Sequence, residues 1–443
     1  MNLPSTVELL QSLIRFDTSN PPGNELPAAV QWVSQLLEQA GLPAEVLAKA
    51  PHRPNLLTRL PGRGEAPPLL LYGHLDVAPT QGQSWRYPPF AAQIADGFIW
   101  GRGALDMKGG VAMFLSAMLR AQAEAARPPG DVILALVSDE ETGGEYGAKF
   151  LVEEYPGRFA GVRHALGEFG GFSFHVNGQR FYPIMVAEKQ ACYVRATVRG
   201  PSGHGSLTQR GGTTASLARF LAVLDQRRLP VHVTAPARLM LETLDRALPK
   251  AMSFPLRQLL NPRLCDPLLD RLGEIGQLLD PLLHNTVNVT MLSGGIAFNV
   301  VPPEVQVGLD GRLLPGFTPG QLLAELYALL EAKGGLKPEE DVTLKVEYYS
   351  PGPSEPEMSF FPRLSAILQQ ADPGCHPGPL LLSGVTDGRF FSRLGIQTYG
   401  FLPMRLPPDF SFTRTIHAAD ERLPVEALAF GTEAVYQALF SPR

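Results

Sequence analysis

The chain has 443 residues, a formal net charge of −5 and an isoelectric point of about 6.0. That length suits two or three domains, and no basic tract offers the clustered Lys and Arg that displace counterions from a nucleic acid. Cys192, Cys265 and Cys375 are too few and too scattered for a disulfide framework or a thiolate zinc site.

The opening MNLPSTVELLQSLIRF has no basic flank ahead of a continuous apolar run, so it reads as an amphipathic helix rather than a signal peptide. The longest apolar runs, such as VILALV, fall far short of the roughly 20 residues of a membrane helix. The expectation is a cytoplasmic protein with no nucleic-acid or membrane partner.

Helical periodicity occurs twice between residues 5 and 40, in VELLQSLIRF and LPAAVQWVSQLLEQAG, and Gly41 stands where a helix stop belongs. NLLTRL and PLLLYGHLDV then predict buried strands, GGVAMFLSAMLRAQAEAA a helix and DVILALVSDE another buried strand. Strands alternating with helices predict an α/β domain with a mixed, largely parallel sheet, whose functional groups gather at the carboxyl ends of strands.

From about residue 189 the pattern becomes mixed α+β: ACYVRATVRG as a half-exposed strand, a helix in TASLARFLAVLDQ, strands in NTVNVTMLSGG and EVQVGLDGRLL, a helix in PGQLLAELYALLEAKGG and a strand in VTLKVEYYS. Residues 231–285 are helix-rich and dense in Leu and Pro, with no role legible from the pattern. After about 353 the α/β texture returns. The predicted organisation is therefore a first domain in two pieces, 1–188 and 353–443, with a second domain, 189–352, inserted between them.

Charged residues cluster where the predicted strands end. His74 stands just past LLLY, with Asp76 two residues on, a spacing that suits a metal-bound imidazole and its orienting partner. A capped strand-end histidine reads equally well. Asp106 lies in the Gly-rich turn GRGALDMKGG before a helix, where a lone Asp is usually an N-cap but small neighbours also let the backbone approach a ligand. SDEETGG carries Asp139, Glu140 and Glu141 in succession, and such mutual repulsion at a sheet rim calls for a cation. Glu168 in ALGEFGG and His417 in TIHAADERL complete a set of imidazoles and carboxylates that suits Zn²⁺, Mn²⁺ or Co²⁺.

In this order, from GHLDV through GRGALDMKGG, SDEETGG and GEFGG to IHAADER, the motifs resemble the M20 family of metallopeptidases and deacylases over nearly the whole chain. The family includes aminoacylase, carboxypeptidases, acetylornithine deacetylase and succinyl-diaminopimelate desuccinylase. The resemblance implies a discontinuous zinc-peptidase-like catalytic domain and an inserted α+β lid that commonly forms a homodimer. It implies two divalent ions, Zn²⁺ with Co²⁺ or Mn²⁺ as alternatives, bridged by Asp106, with His74 and Glu168 completing one site and Glu141 and His417 the other.

The same resemblance makes Glu140 the general base and Asp76 a catalytic-site residue. In GPSGHGS, His204 would stabilise the oxyanion, often in the partner subunit's site; on its own it reads as a solvated turn residue. Asn299, Arg312 and Arg389 would contact substrate, although an ion pair such as Arg312 with Asp310 is the alternative for an arginine.

WRYPPF, DGFIWGRG, GEFGG and VAEKQACYVRATVRGPSGHGS look closest to the carboxypeptidase and aminoacylase branch. The implied reaction is hydrolysis of a peptide or N-acyl bond next to a free carboxylate, on a dipeptide or N-acyl amino acid. The alternatives are a biosynthetic deacetylase or desuccinylase and a non-catalytic peptide-binding descendant.

Overall fold

The computed structural model describes residues 3–441. They divide into two compact units. The first comprises the chain up to Val186, Pro356–Leu380 and the chain from Thr386 onward; the second comprises Ala187–Glu355 with Leu381–Val385.

The first unit holds a nine-stranded sheet in the order Ala44–Ala48, Pro54–Leu60, Val132–Val137, Leu69–His74, His164–Gly167, Gln397–Gly400, Gln179–Glu188 and His376–Leu382, with Phe174–Val176 paired to Gln179–Glu188. Val132–Val137, Leu69–His74, His164–Gly167 and Gln397–Gly400 run parallel, while the pairings on either side of them are antiparallel. Leu69–His74 and Val132–Val137 are buried at every position, which is why each reads as an unbroken apolar run rather than an alternating one.

Register places the functional edge. His74 pairs with Val137, and Leu71 pairs with Leu166, so the chain leaves three adjacent parallel strands on the same side, at His74, after Val137 and after Gly167. The helix Lys108–Ala123 follows Asp106 and is buried nearly all round, as its lack of a polar face requires. A separate three-stranded sheet pairs Arg422–Pro424 with Phe98–Trp100 and the latter with Gln93–Ala95. It ties the segment after His417 to the segment before Asp106.

The second unit is built on a four-stranded antiparallel sheet in the order Thr286–Gly294, Glu304–Leu313, Gln190–Arg199 and Val342–Tyr349. Val194, Val198, Leu309 and Leu344 of the sheet share one core with Phe220 of the helix Thr213–Gln226 and Leu322, Leu326 and Leu330 of the helix Pro319–Gly334. The stretch 231–285 forms helices Ala235–Ala247, Lys250–Gln258, Pro262–Arg271 and Glu274–Leu279.

Polar anchors fasten that insertion. The buried Lys189 amine donates to the His284 carbonyl at 2.8 Å and to Thr286 Oγ1 at 2.9 Å, and burial pulls its pKa down to about 7. His284, 1 % exposed, lies between Asp280 Oδ1 at 2.8 Å and Asp266 Oδ1 at 3.0 Å. Arg228 bridges Asp270 and Asp280 at 2.8 and 2.6 Å.

The second unit recruits Leu381–Val385 in addition to the inserted stretch, because the Lys189 N–H bonds to the Leu382 carbonyl. The strands Ala44–Ala48, Gln179–Glu188 and His376–Leu382 escape local pattern reading. The first is half exposed, and the others are interrupted by Pro183, Pro377 and Pro379, which weaken the strand signal. Among the described residues no helix is long and apolar enough to cross a membrane.

Candidate metal centre

Strand ends and one turn bring five side chains together. His74 closes the strand Leu69–His74, Glu141 lies in the short 3₁₀ turn Glu140–Thr142, Glu168 follows His164–Gly167, and Asp106 precedes the helix Lys108–Ala123. His417 arrives from a loop, at φ 58°. Among the described residues two groups could each hold a cation: His74, Asp106 and Glu168, and Asp106, Glu141 and His417. Within each group the potential ligand atoms lie within 4.8 Å of one another.

Asp106 belongs to both groups. Its Oδ1 is 3.1 Å from His74 Nε2, and its Oδ2 is 3.1 Å from His417 Nε2. Glu168 Oε2 stands 3.5 Å from His74 Nε2, and Glu141 Oε1 stands 3.2 Å from His417 Nε2. The helix does not use Asp106 as its N-cap; Met107 occupies that position with no side-chain cap. The carboxylate is therefore left to the cluster.

The donor set fits divalent cations. Two imidazoles and three carboxylates match the ligands of Zn²⁺, Mn²⁺ or Co²⁺, and Glu141 Oε1 is buried with the His417 imidazole 3.2 Å away but poorly aligned to donate to it. Such an orphaned acceptor is costly unless a cation answers it.

Asp76 orients this site by two routes. His74 Nδ1 lies 2.8 Å from the Asp76 backbone carbonyl, so the main chain, more closely than the carboxylate 3.7 Å away, partners the ring. The Asp76 carboxylate instead accepts the backbone N–H of Glu140 at 3.2 Å and of Glu141 at 3.1 Å, and the Asn20 amide at 2.8 Å. Asp139, the first of the three consecutive acids, turns away from the two ligand groups. It accepts from Thr142 Oγ1 and the Tyr146 N–H, and Arg53 lies 3.6 Å from it.

Gly144 ends this turn at φ 76°, where an added Cβ would lie 2.6 Å from the Phe390 ring and 2.8 Å from Asp387 Oδ1. Glycine is required there on both counts.

Mutual repulsion and burial shape the protonation states. Burial, reinforced by the Glu168 carboxylate, pushes Glu140 well above the usual carboxylate range. Burial likewise raises Glu168, and it raises Asp387 to about 8 against the opposing pull of Arg389. Burial acts upward on Asp106 too, but the hydrogen bonds from His417 and His74 outweigh it and hold Asp106 below its ordinary value. The Asp106 and Glu141 carboxylates beside it carry His417 up to about 10.

The remaining candidate residues are placed differently. His204 and Asn299 lie in the second unit, where Gly203–His204 pairs with Val300–Val301 and the Asn299 carbonyl accepts the Gly205 N–H at 2.8 Å. His204 is exposed, with its Nδ1 2.7 Å from Ser206 Oγ. Arg312 spends its fork on Asp310, at 2.8 and 3.1 Å, as the ion-pair reading anticipated. Buried Arg389 donates to the carbonyls of Thr386 and Gly143 at 2.9 and 3.0 Å. These two bonds tie it to the turn that follows Glu141.

Residues that motif reading left unassigned also surround the cluster: Asn20 beside Asp76, Asp387 whose N–H reaches Glu168 Oε1 at 3.3 Å, and Glu421, which binds the Asp106 N–H at 3.2 Å. Only Glu421 had a local signal, as the acid four residues past His417.

A profile described as peptidase family M20/M25/M40 matches residues 70–441. The chain is 28 % identical over 376 residues to the human N-fatty-acyl-amino acid synthase/hydrolase PM20D1, covering 84 % of this chain and 73 % of that protein. It is 26 % identical over 426 residues to human aminoacylase-1, covering 94 % and 90 %. In fold it is similar to an M20 family metallo-carboxypeptidase from Sulfolobus solfataricus, with a TM-score of 0.70, 18 % identity and 98 % of each chain covered.

Proposed function

The chain belongs to peptidase family M20/M25/M40, and we propose that it hydrolyses the amide bond of an N-acyl amino acid or dipeptide beside a free carboxylate. The observation that carries this reading is the division of Asp106 between two histidine–carboxylate groups. In it, His74, Asp106 and Glu168 would hold one ion and Asp106, Glu141 and His417 the other. Two divalent cations, Zn²⁺ with Co²⁺ or Mn²⁺ as alternatives, would supply Lewis-acid polarisation of the scissile carbonyl and a water of lowered pKa.

Glu140 does the proton work. Its neighbour Glu141 is committed to the cluster, while Glu140 holds a raised proton affinity through burial and Glu168, as suits a group that accepts a proton from water and delivers it to the leaving nitrogen near neutral pH. Asp76 fixes the backbone of both acids by accepting from each of their N–H groups. His204 would donate to the developing oxyanion, with Asn299 beside it in the chain pairing. Arg312 would exchange Asp310 for the substrate carboxylate, one forked pair for another.

A homodimer through the second unit is part of this proposal. The sheet-edge strand Thr286–Gly294 and the segment beyond it expose Met291, Leu292, Ile296 and Phe298, and contiguous exposed apolar side chains at an unpaired edge favour association. The similarity to aminoacylase-1 and to an N-fatty-acyl-amino acid hydrolase supports N-acyl amino acids as the first substrates to try.

The test is a panel of dipeptides and N-acetyl, N-succinyl and long-chain N-acyl amino acids, assayed with each metal in turn. Turnover of N-acyl amino acids or dipeptides supports the proposal. Preference for N-acetylornithine or N-succinyl-diaminopimelate shifts it to a biosynthetic deacylase. No turnover at all, with two ions bound, replaces it with a peptide-binding protein.

A further inference from the structure

Arg102 is in neither ligand group, yet it connects to two of the five ligands by separate routes. Its Nη1 donates to Glu421 Oε2 at 2.6 Å, and Glu421 Oε1 accepts the backbone N–H of Leu105 at 2.9 Å and of Asp106 at 3.2 Å. Its Nη2 donates to Gln83 Oε1 at 2.9 Å, and Gln83 Nε2 donates to the His417 carbonyl at 2.9 Å. The side chains of Arg102 and Glu421 are 1 % and 0 % exposed, and the guanidinium lies 5.3 Å from the centre of the Trp85 ring.

We propose that Arg102 is a positioning residue, fixing the backbones of Asp106 and His417 relative to each other through Glu421 on one arm and Gln83 on the other. An ion pair that served folding alone would need none of the contacts beyond Arg102 and Glu421. Here Glu421 passes the constraint to the Asp106 main chain and Gln83 passes it to the His417 main chain. His417 needs such a constraint. Its φ of 58° is unfavourable for a side chain with a Cβ, and a residue in that region stays there only where its surroundings enforce it. The Gln83 bond to its carbonyl is one such enforcement. Partners one step removed from a metal govern ligand orientation and typically change affinity 10- to 100-fold when lost.

This inference rests on the two-ion reading, and the test separates the two. Metal-free protein is titrated with Zn²⁺ by calorimetry, with His417→Ala marking which binding step belongs to the His417 group. Gln83→Glu keeps an acceptor for Arg102 but removes the donor to the His417 carbonyl. It is expected to weaken the His417 step about tenfold or more, leave the other within about threefold, and lower kcat with little change in KM. Arg102→Met, which cuts both arms, is expected to weaken both steps because Asp106 is shared.

If Arg102→Met does not fold, Gln83→Glu decides alone. A Gln83→Glu protein whose two steps match the wild type, or whose steps weaken equally, overturns the positioning assignment. Wild-type protein that binds fewer than two ions overturns the metal reading instead.

Discussion

The Asp76 carboxylate accepts the backbone N–H of Glu141 at 3.1 Å. An acid two residues past one strand thereby holds the turn at the end of the neighbouring strand, and with it the aim of both Glu140 and Glu141. A second bond, to the Glu140 N–H, and a third, from Asn20, leave the fully buried carboxylate well satisfied.

Asp76→Asn keeps the size but sets an amide donor against a backbone N–H, so one buried donor loses its acceptor at a cost of about 1–3 kcal/mol. The expected outcome is folded protein with metal affinity reduced roughly 10- to 100-fold and a lower kcat. Metal titration and kinetics on one preparation check it; unchanged metal affinity would show that the turn holds itself.

Glu140→Ala should keep both ions, since the side chain belongs to neither ligand group, while kcat falls by roughly 10²- to 10⁴-fold. Elemental analysis alongside turnover is the check. A metal-replete variant with wild-type kcat would remove Glu140 as the base.

Chelation should abolish turnover and lower the melting temperature, because ions present at a hundred times their dissociation constant contribute about 2.7 kcal/mol each. In the cation-free protein Asp106 and Glu141 hold a proton on His417 up to about pH 10. Metal entry at neutral pH must expel it, so apparent affinity at the His417 group should rise roughly tenfold per pH unit below that value. Proton release measured in weak buffer tests this, and pH-independent affinity would contradict it.

His284 should make stability depend on pH away from the metal centre. Burial acts to lower its pKa, but the hydrogen bonds to Asp280 outweigh it and the net shift is upward. A histidine whose folded pKa is raised contributes stability that is complete below its unfolded value of about 6.5 and is lost as pH rises through the folded value. Asp280 shifts downward, so its contribution is complete above about 3.9 and is lost only as pH falls through its lowered folded value. The pair is therefore at full strength between about pH 4 and 6.5. His284→Gln should cost most in that window, by about 1.5–3 kcal/mol for a charge-assisted hydrogen bond, and less at pH 9. Melting curves of both proteins across pH decide it, and a constant difference would count against the histidine.

His204→Ala should leave metal content intact and lower kcat by about 10²-fold if the imidazole meets the oxyanion. Full activity in the variant would restrict His204 to its contact with Ser206.

The residue types of the candidate site are written in the sequence. His74, Asp106, Glu141 and Glu168 stand at strand ends or in turns that the apolar runs delimit, and with His417 their types are those that could hold a cation. Glu140 stands beside Glu141 in the same turn and belongs to neither group. Register was not legible. The runs LLLYGH and VILALV are both continuous, so nothing local states that His74 pairs with Val137. Asp139 looks equivalent to Glu140 and Glu141 along the chain, yet its φ of 77° and its bonds to Thr142 and Tyr146 turn it away.

The arginines mark the same boundary. Residue type makes Arg102, Arg312 and Arg389 equally able to bind a carboxylate, and only the partners decide among them: Glu421 and Gln83 for the first, Asp310 for the second, the carbonyls of Thr386 and Gly143 for the third. Local order along the chain was enough for the fold class and for which side chains have ligand chemistry, because burial and periodicity are written in residue type. Which oxygen faces which histidine, and which buried groups support them, depended on tertiary structure, because those contacts join residues up to 334 positions apart whose approach is set by strand register and helix packing.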